Sequence, residues 1–488
     1  MDVESFRRDG HQLIDWIADY LAHPGRYPVL AQVEPGQVKR SLPAEPPERP
    51  EPMEAILQDV EEIIVPGLTH WNHPGFFAYF GITGSGPGIL GELLSSAFNV
   101  NAMLWRTSPA ATELEELVLD WLRLLIGLPS QFMGIINDSA SVSSLCAIAI
   151  AREALGLRIR EEGLAGRPDL PRLRLYTSEQ AHSSIEKAAI VLGIGQTGVT
   201  KIPVDEEFRL RPGALEAAIK EDLKAGWKPF CVAATVGTTS TTSVDPVPEI
   251  AEICERYKLW LHVDAAYAGA AAILPEKRWA LAGCERADSI VVNPHKWLFV
   301  PLDCSAFYCR HPGVMKQAFS LVPEYLHTPE EDRVRNFMDY GIQLGRRFRA
   351  LKLWMVLRAF GSDGLRQHLR AHIALGESFR GWIEASPDFE LLAPVPFSVV
   401  CFRHRPPNLP ENGGTEPYLS RLNERLLESV NATGEVFLSH TELNGKFTLR
   451  LAIGNLRTPE HHVRRAWDLL REHSKRLDAE LRPADLRA

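Results

Sequence analysis

The stretch Asn293-Pro294-His295-Lys296-Trp297 directly follows the short apolar run at residues 289–292. A lysine between a histidine and a tryptophan, at the end of a strand-like run, is poorly placed for a solvated surface role. Burial and such neighbours lower the pKa of a lysine, which Schiff-base chemistry with a carbonyl group requires. Taken alone, the motif fits a lysine exposed at a strand end equally well, so the surrounding sequence has to decide.

A second motif, Asp264-Ala265-Ala266-Tyr267-Ala268-Gly269, follows the apolar run at residues 260–263. An aspartate at the mouth of a buried strand can pair with a protonated pyridine nitrogen, which keeps such a ring an electron sink. The small side chain of Ala266 can lie flat against a ring face. The ordinary alternative is an aspartate that only caps the following turn.

Three more polar motifs follow apolar or helical signals. Ser139-Ala140-Ser141 leads into a run of small residues at 144–151, where hydroxyls and N–H groups of a helix N-terminus can hold a phosphate. His182, in the stretch 180–184, can stack on a flat ring, and Gly237-Thr238-Thr239-Ser240 follows the run at 232–236. A capping serine and a structural histidine are the common alternatives.

Together these motifs supply each contact that pyridoxal 5′-phosphate (PLP) needs. In chain order they offer a phosphate cup, a ring stacker, a partner for the pyridine nitrogen and a lysine for the aldehyde. The alternation of helical patterns with short apolar runs predicts an α/β domain with a largely parallel sheet. Its ligand is expected beyond the carboxyl ends of the strands. The sequence therefore predicts a PLP enzyme.

The pattern after residue 108 predicts a long helix and four strands in a large α/β domain. A helix that begins at Ser108-Pro109 and stops at Gly127 is expected inside the large domain. Its predicted inner face comprises Leu114, Leu117, Val118, Trp121, Leu122 and Leu125. Strands are predicted at residues 173–176, 230–234, 260–263 and 289–292.

Both ends of the chain differ in texture from its middle. An amphipathic helix precedes the proline-rich strap at 41–52, which fits an arm that completes a dimer or caps its own core. A helix at 363–385, alternating runs at 395–402 and 447–453, and a last helix after Thr458-Pro459 predict a small α+β domain. The expected domains are 1–78 (N-terminal helical and extended dimerisation segment), 79–354 (large PLP-binding α/β domain) and 355–488 (small C-terminal domain).

The composition is that of an ordinary soluble globular protein. The chain has 488 residues, of which 45% are hydrophobic and 24% charged, and its formal net charge of −9 argues against nucleic acid or an anionic membrane as partner. The opening MDVESFRRDG lacks the apolar core of a secretory signal. Seven scattered cysteines with no C-x-x-C pair favour a reducing cytoplasm.

A glycine-rich stretch and two pairs of histidines resemble known binding motifs but do not match them. The glycine-rich stretch 81–88 lacks the G-x-G-x-x-G spacing of a dinucleotide loop, so a nicotinamide oxidoreductase is not favoured. His70 with His73, and His461 with His462, form no complete ligand set, so no metal is expected and these histidines are interpreted as surface or structural.

With these motifs in hand, the chain resembles the group II PLP-dependent decarboxylases, and within them the aromatic L-amino acid decarboxylases. The resemblance runs over nearly the whole chain. Its landmarks are 69–71 (THW), 76–80 (FFAYF), 108–115 (SPAATELE), 138–141 (DSAS), 180–184 (QAHSS), 262–269 (HVDAAYAG), 293–297 (NPHKW) and 344–349 (LGRRFR).

The resemblance implies a fold type I PLP-dependent transferase fold, with a mostly parallel seven-stranded sheet flanked by helices. It also implies a homodimer whose active sites lie at the subunit interface. In this fold Lys296 forms the Schiff base with PLP, Asp264 pairs with the ring nitrogen and His182 stacks on the ring. The remaining cofactor contacts implied are Ser139, Ala140, Ser141, Asn293 and His295 at the phosphate, with Thr239 nearby and Ala266 against the ring.

Tyr325 lies in the charged stretch that runs to Asn336, which is interpreted as a lid. In the resembled family a tyrosine here protonates the carbanion left after CO₂ departs, whereas relatives with phenylalanine tend toward an aldehyde. The presence of Tyr325 therefore favours amine formation. A loop tyrosine that merely packs is the alternative.

An aromatic amino acid is the expected substrate. The expected pocket residues are Trp71, Tyr79, Phe80, Ile82, Asn101, Met103 and Gly345. The animal enzymes carry Pro-Thr where this chain has Gly81-Ile82, and larger apolar residues at the positions of Asn101 and Met103. Gly345 leaves room for an indole, so substrates resembling tryptophan and phenylalanine rank above L-DOPA.

Three rival functions stay open. Two keep PLP chemistry: an aromatic aldehyde synthase, revealed by peroxide, and a decarboxylase of acidic amino acids, revealed by turnover of glutamate. The third is a catalytically silent scaffold with a PLP-enzyme fold, which the presence of both Lys296 and Asp264 disfavours.

Overall fold

The computed structural model describes residues 1–321, 329–330, 333–410 and 413–486. Its helices are α1 (Val3–Ala22), α2 (Gln37–Ser41), α3 (Met53–Asp59), α4 (Gly86–Phe98), α5 (Pro109–Ile126), α6 (Ala140–Glu153), α7 (Ile159–Glu162), α8 (Ser184–Val191), α9 (Pro212–Lys224), α10 (Val247–Tyr257), α11 (Pro294–Trp297), α12 (Pro312–Phe319), α13 (Arg349–Glu384), α14 (Thr415–Asn431) and α15 (Glu460–Leu481). Its strands are β1 (Met133–Asn137), β2 (Arg172–Ser178), β3 (Val199–Ile202), β4 (Trp227–Thr235), β5 (Trp260–Asp264), β6 (Ser289–Val292), β7 (Ser305–Cys309), β8 (Phe389–Leu391), β9 (Val399–His404), β10 (Ser439–Leu443) and β11 (Lys446–Ala452).

In the described part of the chain, seven strands form the main sheet in the order β1-β7-β6-β5-β4-β2-β3. The pairs β2·β3, β2·β4, β4·β5 and β5·β6 are parallel. β7 is antiparallel to both β1 and β6, so β1 and β6 point the same way. The predicted α/β fold with a mostly parallel sheet is confirmed, and the four predicted runs lie within β2, β4, β5 and β6.

This topology decides where a ligand can sit. Since β1, β2, β4, β5 and β6 share one direction, their carboxyl ends meet at one edge of the sheet. Each of the five motifs chosen from the sequence follows one of these strands. The strand cores are buried, as expected for a parallel sheet covered on both faces.

Both ends of helix α5 were predicted from local sequence signals. Ser108 Oγ accepts a hydrogen bond from the Ala111 N–H, and the left-handed Gly127 (φ 80°) ends the helix, as predicted. The predicted inner face was wrong in part, because Leu117 is 43% exposed while Glu115 is buried. The carboxylate of Glu115 accepts hydrogen bonds from the Ile136 N–H and from Arg346 inside the protein. The buried side of the helix therefore includes this charged residue.

The chain divides into two compact units. One comprises residues 1–81, 375–392 and 400–488, and contains the second sheet in the order β10-β11-β9-β8. The other comprises residues 82–374 and 393–399, and contains the main sheet. In the first unit α15 buries Val463, Ala466, Trp467 and Leu470, as predicted. The three domain ranges proposed from the sequence stay a prediction.

Helix α13 begins at Arg349 and is divided at Gly361, so the helical region predicted at 363–385 corresponds to its second part, which ends at Glu384. Gly361 interrupts it with a positive φ of 61°, a conformation that glycine adopts without steric cost. In the described residues, no helix combines the length and the apolar character that a membrane crossing requires.

Candidate active site

Lys296 lies in the single turn of α11, directly after β6. Its side chain is half-buried, whereas the neighbouring Trp297 is buried completely. His295 is also buried, and its Nδ1 accepts a hydrogen bond of 2.8 Å from the Cys304 N–H. Burial, with a smaller effect of the Lys296 charge, lowers the pKa of His295 to about 3. The imidazole is therefore neutral, with its proton on Nε2.

Asp264 is the last residue of β5, on the strand next to β6. It is buried, and its Oδ1 accepts a hydrogen bond of 3.1 Å from the Ala266 N–H. The Ala266 carbonyl in turn accepts a hydrogen bond of 3.1 Å from the Asn293 N–H. The turn that carries Asp264 is thus joined through the backbone to the turn that carries Lys296.

His182 lies between β2 and α8 and is exposed in the single chain. Its Nδ1 is 2.9 Å from Ser184 Oγ and accepts the Ser184 N–H at 3.2 Å. Partial burial of the ring lowers the pKa of His182; the Asp264 carboxylate acts in the opposite direction, and the Lys296 ammonium lowers it further. The imidazole is therefore within electrostatic reach of both residues, and three strand ends converge here.

The start of α6 carries the predicted phosphate cup. Ser139 is its N-cap, with Oγ accepting the Val142 N–H at 3.4 Å and donating to Asp138 at 2.9 Å. Ser141 is exposed, and Ala140 is half-buried. The helix N-terminus offers backbone N–H groups and a favourable dipole to an anion.

Thr239 is exposed in the turn after β4. Its neighbour Thr238 is buried, with Oγ1 2.9 Å from Thr241 Oγ1 and accepting the Ser243 N–H at 3.0 Å. These contacts within the turn hold its backbone and leave Thr239 at the surface. The role proposed for Thr239 stays a prediction.

The predicted substrate residues fall into two groups. In the main-sheet unit, Asn101 Nδ2 is 3.4 Å from Met103 Sδ, and a Cβ on Gly345 would lie 3.9 Å from the same amide. Ile82 is half-buried in that unit.

The second group belongs to the other unit. The rings of Trp71 and Tyr79 stack with centroids 5.8 Å apart, and Arg450 lies 4.7 Å from the ring centroid of Phe80. The side chain of Tyr79 is 55% exposed, so the stack leaves an aromatic face accessible. Tyr325 lies outside the described residues.

Comparison with known proteins decides the family. Residues 35–405 match the family model described as the pyridoxal-dependent decarboxylase conserved domain. The chain belongs to this family. It is similar to tyrosine decarboxylase 4 of Petroselinum crispum, with 42% identity over 98% of this chain and 94% of that protein.

The decarboxylase is also similar to an aldehyde synthase and to a solved structure that contains PLP. Phenylacetaldehyde synthase of a Rosa hybrid cultivar is 40% identical over 97% of this chain and 95% of that protein. The solved structure of Oryza sativa TDC with PLP and tryptamine superposes with a TM-score of 0.93 at 38% identity, over 98% of this chain and 99% of that one.

The cofactor of this decarboxylase is PLP, and the residues at the sheet edge fit it. Within the described residues, Asn293 Oδ1 is buried without a hydrogen-bond partner. A buried amide oxygen in that state is costly unless a ligand or water satisfies it. The neutral His295, the helix N-terminus at Ser139 and the small Ala266 leave polar groups and space for a phosphorylated ring.

Sequence reasoning missed the layer beneath the decarboxylase site. Tyr267 and Trp297 belong to motifs chosen for their neighbours, yet both are buried and stack on each other. Trp297 Nε1 donates to His372 Nδ1 at 3.0 Å, and Tyr267 Oη lies 3.0 Å from Ser398 Oγ. The aromatic residues within both motifs were the available signal, although their pairing could not be read from the spacing.

Proposed function

We propose that this decarboxylase converts an aromatic L-amino acid to the corresponding amine and CO₂. The observation that carries the proposal is the convergence of Lys296, Asp264 and His182 at the carboxyl edge of the sheet. They come from three strands, and PLP needs each of these three residue types. The named activities of the relatives support the choice of reaction and substrate class.

Each residue has a defined task. When bound, PLP supplies an electron-accepting ring that stabilises the negative charge left on the α-carbon as CO₂ departs. Lys296 Nζ would hold the cofactor covalently. The Asp264 carboxylate would keep a proton on the ring nitrogen, and His182 would stack on the ring.

The residues that would hold the phosphate are Ser139, Ala140, Ser141, Asn293 and His295, with Thr239 nearby, and Ala266 would lie against the ring. Because His295 is neutral, its Nε2–H can donate to a phosphate oxygen without adding a second buried charge. Tyr325 donates a proton to the α-carbon after CO₂ has left, and this step determines that the product is an amine.

The pocket residues support an aromatic substrate. Asn101, Met103, Ile82 and Gly345 combine one amide with apolar surface, and Gly345 leaves the space that a side chain would fill beside Asn101. Trp71, Tyr79 and Phe80, in the other unit, form an aromatic group of their own. We expect indole and phenyl side chains to be preferred over a catechol, since Ile82 offers no hydroxyl.

An aldehyde synthase is the second candidate, because the Rosa relative of similar identity carries that name. The two functions differ in products: the synthase would release aldehyde, ammonia and hydrogen peroxide and would consume O₂. Tyr325 favours the amine.

The test is product analysis of PLP-loaded enzyme with tryptophan, phenylalanine, tyrosine, L-DOPA and glutamate, with peroxide monitored. Amine from an aromatic substrate without peroxide is the expected result, and Lys296→Ala should give none. Aldehyde with peroxide would replace the proposed reaction by the synthase reaction, and amine from glutamate alone would overturn the aromatic substrate class.

The proposed functional form is a homodimer. Along α4, Leu90, Leu93, Leu94 and Phe98 are between 41% and 57% exposed, and their spacing places them on one side of the helix. Such an apolar stripe is costly in water unless another surface covers it. A second copy of this chain is the proposed cover, as the family resemblance implies.

Leu94→Glu should shift the enzyme from dimer to monomer in light-scattering measurements and reduce its activity. Leu223→Glu, which changes an exposed leucine on α9, is the matched control. An unchanged dimer in the Leu94→Glu variant would remove α4 from the interface. A reducing compartment such as the cytoplasm fits the seven cysteines, which all lie buried within the described residues and form no disulfide bond with one another.

A further inference from the structure

Two charged residues of the landmark motifs, to which the proposed reaction assigns no role, meet inside the main-sheet unit. Glu115 ends the motif 108–115 on α5, and Arg346 lies in the motif 344–349 just before α13. Their side chains form an ion pair of 2.5 Å, with exposed fractions of only 2% and 4%. Buried ion pairs are weak evidence for stability, because the cost of desolvation offsets much of the attraction. Their geometry is the more informative property.

The guanidinium of Arg346 holds two further segments. Its NH1 donates to the Ala102 carbonyl at 3.2 Å, and its NH2 donates to the Ile136 carbonyl at 3.0 Å. Glu115 Oε1 also accepts the Ile136 N–H at 2.9 Å. The pair therefore joins β1, which leads into the phosphate cup, to the segment 101–103.

The backbone of Arg346 completes this clamp. Its N–H donates to Asn101 Oδ1 at 3.0 Å, and its carbonyl accepts the Ala102 N–H at 2.9 Å. Three hydrogen bonds thus hold two consecutive residues of the segment. The Met103 carbonyl accepts the Met338 N–H at 2.9 Å, and Phe337 lies under the guanidinium at 4.8 Å.

From these contacts we propose that Arg346 is a positioning residue for substrate recognition. It acts through Asn101 and Met103, which it holds in place by bridging Ala102 to β1. This inference rests on the proposed function, since it takes Asn101 and Met103 as parts of the aromatic pocket. Arginine suits the task because its planar guanidinium spreads donors over separate nitrogens, which reach Glu115 and two carbonyls from fixed directions, whereas a lysine ammonium carries its donors on one atom.

The test compares Arg346→Lys with Arg347→Lys. Both changes keep the charge, but Arg347 is 53% exposed in its side chain and pairs with Glu92 instead. For Arg346→Lys we expect KM for the preferred aromatic substrate to rise about tenfold or more, because a pocket wall displaced by a fraction of an ångström no longer fits. We expect PLP content and kcat to change far less, and Arg347→Lys to match the parent.

A binding measurement separates positioning from general damage. Titration of PLP-loaded enzyme with the amine product should show weaker binding in Arg346→Lys, in proportion to its KM. Unchanged KM and amine affinity, with only a lower unfolding temperature, would overturn the proposal. If Arg346→Lys does not fold, Glu115→Gln/Arg346→Met takes its place, since it buries neither charge.

Failure of the proposed function has a different signature. It would appear in the parent enzyme as turnover of a non-aromatic amino acid. The same comparison of Arg346→Lys with Arg347→Lys, run with that substrate, would still decide the inference: a selective rise in KM supports it, and equal KM values overturn it.

Discussion

The indole of Trp297 lies on the ring of Tyr267, with centroids 4.7 Å apart and planes inclined by 8°. Trp297 follows Lys296 directly, and Tyr267 follows Ala266, so the stack joins the turn that carries the proposed attachment lysine to the turn that carries Asp264, the proposed partner of the ring nitrogen. Offset stacking of aromatic rings adds stabilisation beyond the area they bury. The stack therefore supports the positions of Lys296 and Asp264, and support of this kind preorganises a site for its ligand.

Trp297→Phe keeps a ring on Tyr267 but removes the indole N–H that donates to His372. The loss of this buried hydrogen bond should cost about 1–3 kcal/mol, because the His372 acceptor stays desolvated. Thermal unfolding of the PLP-bound enzyme should show a lower midpoint. Trp279→Phe, at a half-exposed tryptophan stacked on Phe397, is the control. Equal midpoints for the two variants would contradict the stabilising role of the Trp297 indole.

Asp264→Asn retains an acceptor for the Ala266 N–H and so should preserve the turn. It removes the charge that we propose holds the ring-nitrogen proton, and kcat should fall about 10²–10³-fold, as when other preorganised electrostatic groups are lost. Asp288→Asn is the matched control, since Asp288 accepts the Leu261 N–H at the opposite edge of the sheet. A near-normal kcat for Asp264→Asn would remove Asp264 from its role.

The stability of the fold should depend on pH through buried histidines. Burial lowers the pKa of His262 to about 4, whereas a histidine in an unfolded chain titrates near about 6.5. Below pH ~6.5 the unfolded chain binds a proton that the folded chain does not. Stability should therefore fall with pH between about 6.5 and 4, by roughly 1.4 kcal/mol per pH unit for each such residue.

His262→Asn tests this account with unfolding midpoints measured from pH 7.5 to 4.5. The variant should be less stable than the parent at neutral pH, and the difference should shrink as the pH falls. His11→Asn, at an exposed residue of α1, should track the parent throughout. Parallel curves for His262→Asn and the parent would show that His262 does not contribute to the acid sensitivity.

Tyr325→Phe tests the product assignment. Removal of the phenolic hydroxyl removes the proposed proton donor, so product should shift from amine to aldehyde, with peroxide formed and O₂ consumed. Mass spectrometry of the products and an oxygen electrode give the ratio directly. An unchanged yield of amine would exclude Tyr325 as the donor.

The parts of the site that the sequence predicted are those that depend on local order. Asp264 and Lys296 each follow a short apolar run, and a parallel sheet brings the ends of such runs to one edge. The start and end of α5 were equally local, since Ser108 and Gly127 are signals within one turn of the helix ends.

The parts that were missed depend on contacts between distant residues. Arg346 and Glu115 are 231 positions apart, and only the folded chain shows that the buried side of α5 includes a carboxylate. The antiparallel strand β7 was missed because its five residues carry no alternation and its neighbour β1 is remote in sequence. Trp297 and Tyr267 lie within predicted motifs, but their stacking depends on the adjacency of β5 and β6, which the sequence does not reveal.

One measurement tests the central claim most directly: the mass of the product formed from an aromatic L-amino acid by PLP-loaded enzyme in D₂O. Loss of CO₂ followed by a single protonation predicts an amine with one deuterium at the carbon that carried the carboxylate. An aldehyde, or an amino acid that keeps its carboxylate, would contradict the account.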